Sequence, residues 1–334
     1  MGTLMNRSSF AHVRAVGSYA PPRRMSNDEL ALLVDTSDEW IFSHTGIRFR
    51  HIADDTVAAS DLAVEAARIA LDRAEMPAHE IDLILLATST PDHPGLPATA
   101  CVVQDRLGAD RAAAMDLVAA CTGFVYGIET ARAFIQSGSA RTVLVIGAEV
   151  YSKIINWKDR NTCVLFGDGA GAALLCASGE DNPSRVVDSV LYSRGQGAPA
   201  LGRPAGGSRT PATAADGSDL YLAMDGRRVY TFAIAAIIEA IESVLKRNDL
   251  TFDDIDFVVP HQANVRIIDA AAKRGGFASA KFFTNIAEYA NTSAASIPIA
   301  LDEMVTRDLL KPGHRIITVG FGSGLTYGAN LIIW

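Results

Sequence analysis

Apolar residues in this chain fall into two patterns: unbroken runs of strand length, and longer stretches where they return every three or four positions. The runs Ile81–Thr88, Met115–Ala119, Thr142–Ala148, Val186–Tyr192 and Ile255–Val259 predict strands buried on both faces. The helical period predicts helices over Ser60–Ala74, Thr99–Leu107, Thr122–Gln136, Gly226–Lys246, Asn264–Arg274 and Ser293–Leu309. Pro298 falls in the second turn of the last and is expected to irregularise it. Cys163–Cys176 reads as a strand interrupted by Gly-Asp-Gly-Ala-Gly, and Arg315–Gly320 and Tyr327–Trp334 read as closing strands. Strands alternating with helices predict an α/β fold. Ser178–Ser184 breaks the pattern and divides the chain into halves, 1–179 and 180–334, with a similar order of elements. Gly195–Asp219, rich in Gly, Pro, Ala and Ser, reads as a long surface or active-site loop.

A length of 334 residues suits two fused halves, and 49% hydrophobic against 20% charged residues predicts a large packed core. With no run of ~18 apolar residues, no membrane-spanning helix is expected. The polar stretch Met1–Phe10 lacks the apolar core of a signal peptide. The four cysteines include no C-x-x-C pair and read as reduced thiols of a cytoplasmic protein. A net charge of −8 argues against nucleic acid as the main partner. The seven histidines show no paired-ligand spacing, so no metal is expected.

Cys121 carries the first candidate chemistry. It lies where the run Met115–Ala119 turns into a helical pattern, so its sulfur is expected at a helix N-terminus. Exposed N–H groups and the dipole there favour a thiolate, and the same turn can aim N–H donors at an oxyanion. A buried structural cysteine fits the segment equally. His261 leaves the strand Ile255–Val259 beside Pro260, where open α/β sheets place ligands, although a turn histidine fits too. Asn291 precedes a helix, where asparagine also serves as a cap. Gly320-Phe-Gly-Ser-Gly-Leu-Thr-Tyr-Gly328 allows close backbone approach to a ligand, or is simply a glycine-rich hairpin.

In this order the segments resemble one family, the β-ketoacyl-acyl carrier protein synthase III enzymes of the thiolase-like superfamily. Its landmarks are Asp35–Ile41 (Asp-Thr-Ser-Asp-Glu-Trp-Ile), Thr45–Arg48, the Cys121 segment, Phe166–Gly171, Pro260–Asn264 (Pro-His-Gln-Ala-Asn), Asn291–Ser296 (Asn-Thr-Ser-Ala-Ala-Ser) and the terminal glycine motif. The resemblance implies two fused five-stranded α/β halves layered α-β-α-β-α, a homodimer, and a Cys–His–Asn triad of Cys121, His261 and Asn291. It implies that an acyl-CoA acylates Cys121. A malonyl thioester on acyl carrier protein then loses CO₂, and the carbanion attacks the acyl-cysteine. His261 Nε2 and the Asn291 amide would hold the enolate oxygen. The N–H groups of Cys121 and Ser323 would hold the tetrahedral oxyanion, with Ser323 standing where relatives often carry glycine.

The CoA channel maps onto Trp40, Arg160 and Asn264, with the adenine between indole and guanidinium. His44 replaces a common arginine there, which weakens charge pairing with CoA phosphates. Leu96, in the segment Pro91–Pro97, takes the place of a bulky residue that limits acyl length from the partner subunit. Arg266, Lys273 and Arg274 share one helix face and suit an acidic carrier protein, while Thr231 stands where some relatives are basic. No cofactor beyond the CoA thioester substrate is implied. A secondary-metabolism relative using a special starter, and a Cys–His thioester hydrolase, remain alternatives.

Overall fold

The computed structural model describes residues 10–334; residues 1–9, most of the stretch read above as lacking a signal peptide, lie outside the described residues. The first half runs β1 (Phe10–Tyr19), β2 (Arg24–Ser26), α1 (Asn27–Ala31), α2 (Asp38–Thr45), β3 (Phe49–His51), α3 (Ala59–Ala74), β4 (Leu83–Ala87), α4 (Thr99–Leu107), β5 (Ala113–Leu117), α5 (Gly123–Gln136), β6 (Thr142–Val150), α6 (Arg160–Cys163) and β7 (Asp168–Ser178). The second runs β8 (Arg185–Ser193), β9 (Leu201–Gly202), β10 (Ala223–Met224), α7 (Gly226–Arg247), β11 (Phe257–Pro260), α8 (Val265–Gly275), α9 (Ile286–Tyr289), α10 (Ser296–Thr306), β12 (Arg315–Gly322) and β13 (Thr326–Ile333).

Of the two large sheets, one has the order β1-β7-β6-β4-β5 and the other β11-β12-β13-β8, while β2-β3 and β9-β10 form small two-stranded pairs. Three apolar clusters separate five layers. Helices α3 and α4 cover the outer face of the first sheet. Helices α5 and α10 lie between the sheets, with Phe124, Ile128, Ile297 and Met304 in the shared core. Helices α7 and α8 cover the far face of the second sheet. The α-β-α-β-α arrangement is therefore as expected.

Several local expectations need correction. The second sheet has four strands, not five; beside β11 a fifth is reduced to one bridge between Val258 and Phe282. The stretch from Cys163 is not one strand: α6 ends at Cys163 and β7 begins at Asp168. Strand β1 has no counterpart in the pattern above, because a register shift between Val13 and Ala15 breaks its alternation. Helix α10 begins at Ser296, after a 3₁₀ turn at Ser293–Ala295, so Pro298 sits in its first turn where no N–H bond is lost. Helix α3 begins at Ala59, with Asp61 accepting from the Ala58 N–H in place of a Ser60 cap. Met115–Ala119 is not a buried strand: β5 is the sheet edge, with Met115 at 40% and Val118 at 81% exposure.

Glycine sets how closely the layers approach. A Cβ on Gly147 of β6 would lie 2.2 Å from the Ala294 carbonyl oxygen, and one on Gly171 of β7 would lie 2.7 Å from Pro298 Cβ. The turn before α10 therefore rests on bare backbone of the first sheet. Gly147→Ala is expected to lose roughly 1–3 kcal/mol by overpacking. Urea unfolding checks this, with Gly179→Ala, where nothing lies within 4 Å, as the unaffected control.

Candidate active site

Cys121, His261 and Asn291 arrive from three distant segments and line one cavity of about 160 Å³, together with Phe166, Phe321 and Gly322. Cys121 lies in a 3₁₀ turn, Ala120–Thr122, between β5 and α5. Ala120 adopts φ +45°, a strained value for a residue with a side chain. Two glycines of the terminal motif are needed here for space. A Cβ on Gly322 would lie 2.8 Å from the Cys121 nitrogen, and one on Gly320 would lie 3.2 Å from Thr122 Cα.

The resting cysteine is a thiol. Burial pushes it up to about 12; the Ser293 hydroxyl pulls the other way and the carboxylate of Glu149 adds to the rise. The thiolate expected at a helix N-terminus is outweighed by loss of water.

His261 follows β11 and is fully buried, which pushes its imidazole down to about 3. It is therefore neutral, and Phe321 packs edge-on to its ring at 5.1 Å. Nδ1 lies 2.7 Å from Ser296 Oγ, which is also 2.9 Å from the Ser293 carbonyl oxygen and accepts from the Gln262 N–H at 3.3 Å. The Ser293 carbonyl can only accept, so the hydroxyl gives its one proton there and accepts from Nδ1–H; turning the hydroxyl to Nδ1 instead moves the ring proton to Nε2, which faces the cavity.

Asn291 is not a helix cap. Its backbone is clamped to the Phe166 segment, its N–H donating to Leu165 O at 2.9 Å and its carbonyl accepting from Gly167 N–H at 3.0 Å. Its Oδ1 accepts from the Ser293 N–H at 2.8 Å, which commits the oxygen and leaves the amide NH₂ as a donor. One wall of the cavity thus offers the Asn291 amide and a neutral imidazole, and no fixed charge.

The other expected residues are scattered. Ser323 lies outside this cavity and lines a second of about 330 Å³, beside Val118, Ala119 and Tyr151, with its hydroxyl on the Leu201 carbonyl. The positive φ falls on Gly324 and not on Ser323, so a side chain there is tolerated. The Arg160 guanidinium sits 4.9 Å over the Trp40 indole and donates to Asp35 O, so an adenine enters only by parting the two. His44 also stacks on Trp40, at 4.5 Å, and donates from Nδ1 to the Trp40 carbonyl. Asn264 lines the cavity, but its amide already caps α8 and donates to His44 O at 3.0 Å. Leu96 is 86% exposed and touches no catalytic candidate in its own chain. Arg266, Lys273 and Arg274 are exposed on α8, with Arg266 Nε donating to Ser43 O. Thr231 is exposed on α7, its hydroxyl turned to the Arg227 carbonyl. The Gly195–Asp219 loop forms a wall, as Leu201 lines both cavities.

Sequence reasoning missed Glu149, Tyr151, Ser293 and Ser296. Glu149 had a legible signal: a carboxylate within the apolar run Val143–Val150, fully buried and pushed up to about 7 by that burial. Among the described residues no three His, Cys, Asp or Glu side chains gather as a metal cage, and no helix is long and apolar enough to cross a membrane.

Five layers enclosing a buried cysteine, histidine and asparagine define a thiolase-fold condensing enzyme. Comparison with known proteins narrows this. Residues 115–195 match the family model for 3-oxoacyl-[acyl-carrier-protein] synthase III, and residues 245–334 match the model of its C-terminal part. The chain is similar to β-ketoacyl-[acyl-carrier-protein] synthase III of Natranaerobius thermophilus, 47% identical over 98% of this chain and 100% of that one. The corresponding protein of Caldanaerobacter subterraneus is 48% identical over 97% of this chain and 98% of its own. Among solved structures it resembles the Aquifex aeolicus synthase III (TM-score 0.89, 41% identity, 97% of this chain and 100% of that one). It also resembles the priming β-ketosynthase of the R1128 polyketide pathway (TM-score 0.91, 36% identity, 100% and 99% covered). The chain belongs to the 3-oxoacyl-[acyl-carrier-protein] synthase III family, acyltransferases that open fatty-acid synthesis by condensing an acyl-CoA with malonyl-acyl carrier protein.

The depressed His261 value has a stability consequence. The unfolded imidazole titrates near 6.5 and the folded one near 3, so the unfolded state binds the extra proton. Its contribution is intact above about pH 6.5 and is lost as pH falls. In denaturation midpoints followed from about pH 7 down to about pH 4, His261→Asn should lose less stability than wild type.

Proposed function

We propose that this chain performs that condensation with Cys121 as the acylated nucleophile and His261 and Asn291 as the donors to the enolate. The observation that carries the reading is a neutral imidazole and an amide sharing one cavity with a buried thiol. Decarboxylation of a malonyl thioester moves negative charge onto the thioester oxygen. With the Ser296 hydroxyl turned to Nδ1, the ring proton sits on Nε2, and Nε2–H and the Asn291 amide are placed to receive that charge. A neutral pair serves this step better than an imidazolium, since it leaves the departing carboxylate uncompensated. No cofactor is needed, because the CoA thioester itself activates the acyl carbon. The backbone N–H groups of Cys121 and Ser323 are proposed for the tetrahedral intermediate. Trp40, Arg160 and Asn264 are proposed for CoA, with a rotation of Arg160 admitting the adenine. The exposed charges of Arg266, Lys273 and Arg274 are proposed to receive the acidic carrier protein. The division at 179/180 into a cysteine-bearing and a His/Asn-bearing half belongs to the same reading, as does a cytoplasmic location, supported by four unpaired thiols.

A homodimer is also proposed. Strand β5 is an unpaired edge that presents Met115 and Val118, which suits a second copy across a two-fold axis. The second cavity opens beside Val118 and Ala119, so the partner's Leu96, crossing that edge, would close it and set the acyl length.

Similarity to a polyketide priming synthase keeps a special starter as a second reading. Intact-protein mass after exposure to acyl-CoAs of graded length decides the starter. Wild type should gain an acyl mass that Cys121→Ala does not, and release of CoA without an adduct would point to hydrolysis instead. Asn291→Ala should cut malonyl decarboxylation by ~10²–10³-fold while leaving acylation largely intact. In sedimentation, Val118→Arg should convert a wild-type dimer to monomer; a monomeric wild type at micromolar concentration would refute the dimer.

A further inference from the structure

Acylation of Cys121 requires that its thiol proton go somewhere, and the triad offers only a weak base: burial pushes the His261 imidazole down to about 3. Asn291 does not titrate. Ser293 and Glu149 do not line the cavity, yet the Ser293 hydroxyl is hydrogen-bonded to the Cys121 thiol. The Ser293–Ala295 turn packs against the Ala120–Thr122 turn, and Ser293 Oγ donates to Glu149 Oε1 at 2.9 Å. Glu149 Oε2 accepts from Thr90 Oγ1 at 2.7 Å, from the Ser89 N–H at 3.0 Å and from Thr88 Oγ1 at 3.4 Å. Ser293 itself holds φ +49°, a strained backbone that keeps its hydroxyl between the two turns.

We propose that Glu149, acting through the Ser293 hydroxyl, is the proton acceptor for Cys121 in the acylation half-reaction. The S–H bond breaks and its proton passes to Ser293 Oγ, while the Ser293 O–H proton passes to Glu149 Oε1. The sulfur attacks the thioester carbonyl, the bond to the CoA sulfur breaks, and the departing CoA thiolate takes a proton from solvent, while the proton held on Glu149 returns through Ser293 to the Cys121 thiolate that condensation releases. Glu149 acts through Ser293 and touches no substrate atom, so it can work without blocking the cavity.

The charged and titratable groups that bear on Glu149 support this assignment. From its own strand end comes the phenol of Tyr151, which burial keeps neutral, and from the Ala120–Thr122 turn comes Cys121. Thr88, Ser89, Thr90 and Ser293 supply only neutral donors, with the Ala294 N–H beside them. Burial lifts the carboxyl to about 7, the range where a base is both available and strong enough to act near neutral pH.

The proposal rests on Cys121 as the acylated residue, and its test separates the two. Alkylation of Cys121 by iodoacetamide needs no acyl donor and is followed by mass against pH, alongside single-turnover acylation by acetyl-CoA and malonyl decarboxylation. In wild type, alkylation and acylation should rise with pH and level off above about 7. In Glu149→Gln and in Ser293→Ala both should start lower and keep climbing with pH without levelling, while decarboxylation is largely kept. Retention of the wild-type plateau by either folded variant overturns the proposal. So does a decarboxylation loss as large as the acylation loss, which would make the pair a structural support. If Glu149→Gln does not unfold cooperatively, Ser293→Ala decides by the same criteria. A wild type that alkylates with this profile but takes no acyl group refutes the acyl-CoA reading and leaves the proton path standing.

Discussion

The whole site depends on three backbone turns being allowed into contact. The Cys121 turn, the Ser293–Ala295 turn and the end of β12 meet between the two sheets, and each contact exists because a side chain is absent. Gly147 makes room for the Ala294 carbonyl, and Gly322 makes room for the Cys121 nitrogen. A methyl group at either position would hold the turns apart by more than a hydrogen bond tolerates. The strain at Ala120, Ala290 and Ser293, all non-glycine residues with positive φ, is held in place by the packing of α5 and α10 around it.

Burial then governs the chemistry. Removing water pushes thiol and imidazole to their neutral forms together, so the pair does not rest as thiolate and imidazolium. That choice suits a reaction in which negative charge appears only in passing. Preorganised neutral donors stabilise a transient oxyanion without binding the carboxylate that must leave. It also leaves only a weak base for the thiol proton inside the triad, which gives the buried Glu149 its interest.

Ser293 ties these features together. Its N–H orients the Asn291 amide, its hydroxyl reaches Glu149, and its carbonyl lies beside the Ser296 hydroxyl that meets His261. A single strained residue thereby couples three separate segments. The surface residues behave differently. Trp40, Arg160 and Arg266 are engaged with their own chain, so the ligands proposed for them must displace those contacts.

Much of this was legible in the chain itself. Unbroken apolar runs announced buried strands, the helical period placed α5, α7 and α8, and the segments around Cys121, His261 and Asn291 identified the family, because local pattern and motif spacing are written residue by residue. Strand β1, the edge position of β5 and the one-bridge remnant at Phe282 were not legible, since a bulge hides alternation and an apolar run reads the same whether a sheet or a second subunit covers it. The states of the site were least legible. A cysteine at a helix start reads as a thiolate from sequence, and only the tertiary structure, by withdrawing water and setting Ser296 on Nδ1 and Ser293 on Glu149, decided that thiol and imidazole are neutral and which ring nitrogen faces the cavity. The sequence by itself determined which residues were available for chemistry. Their protonation and direction came from the tertiary structure, because both depend on burial and on partners that other segments bring in, Ser296 to His261 and Ser293 to Glu149.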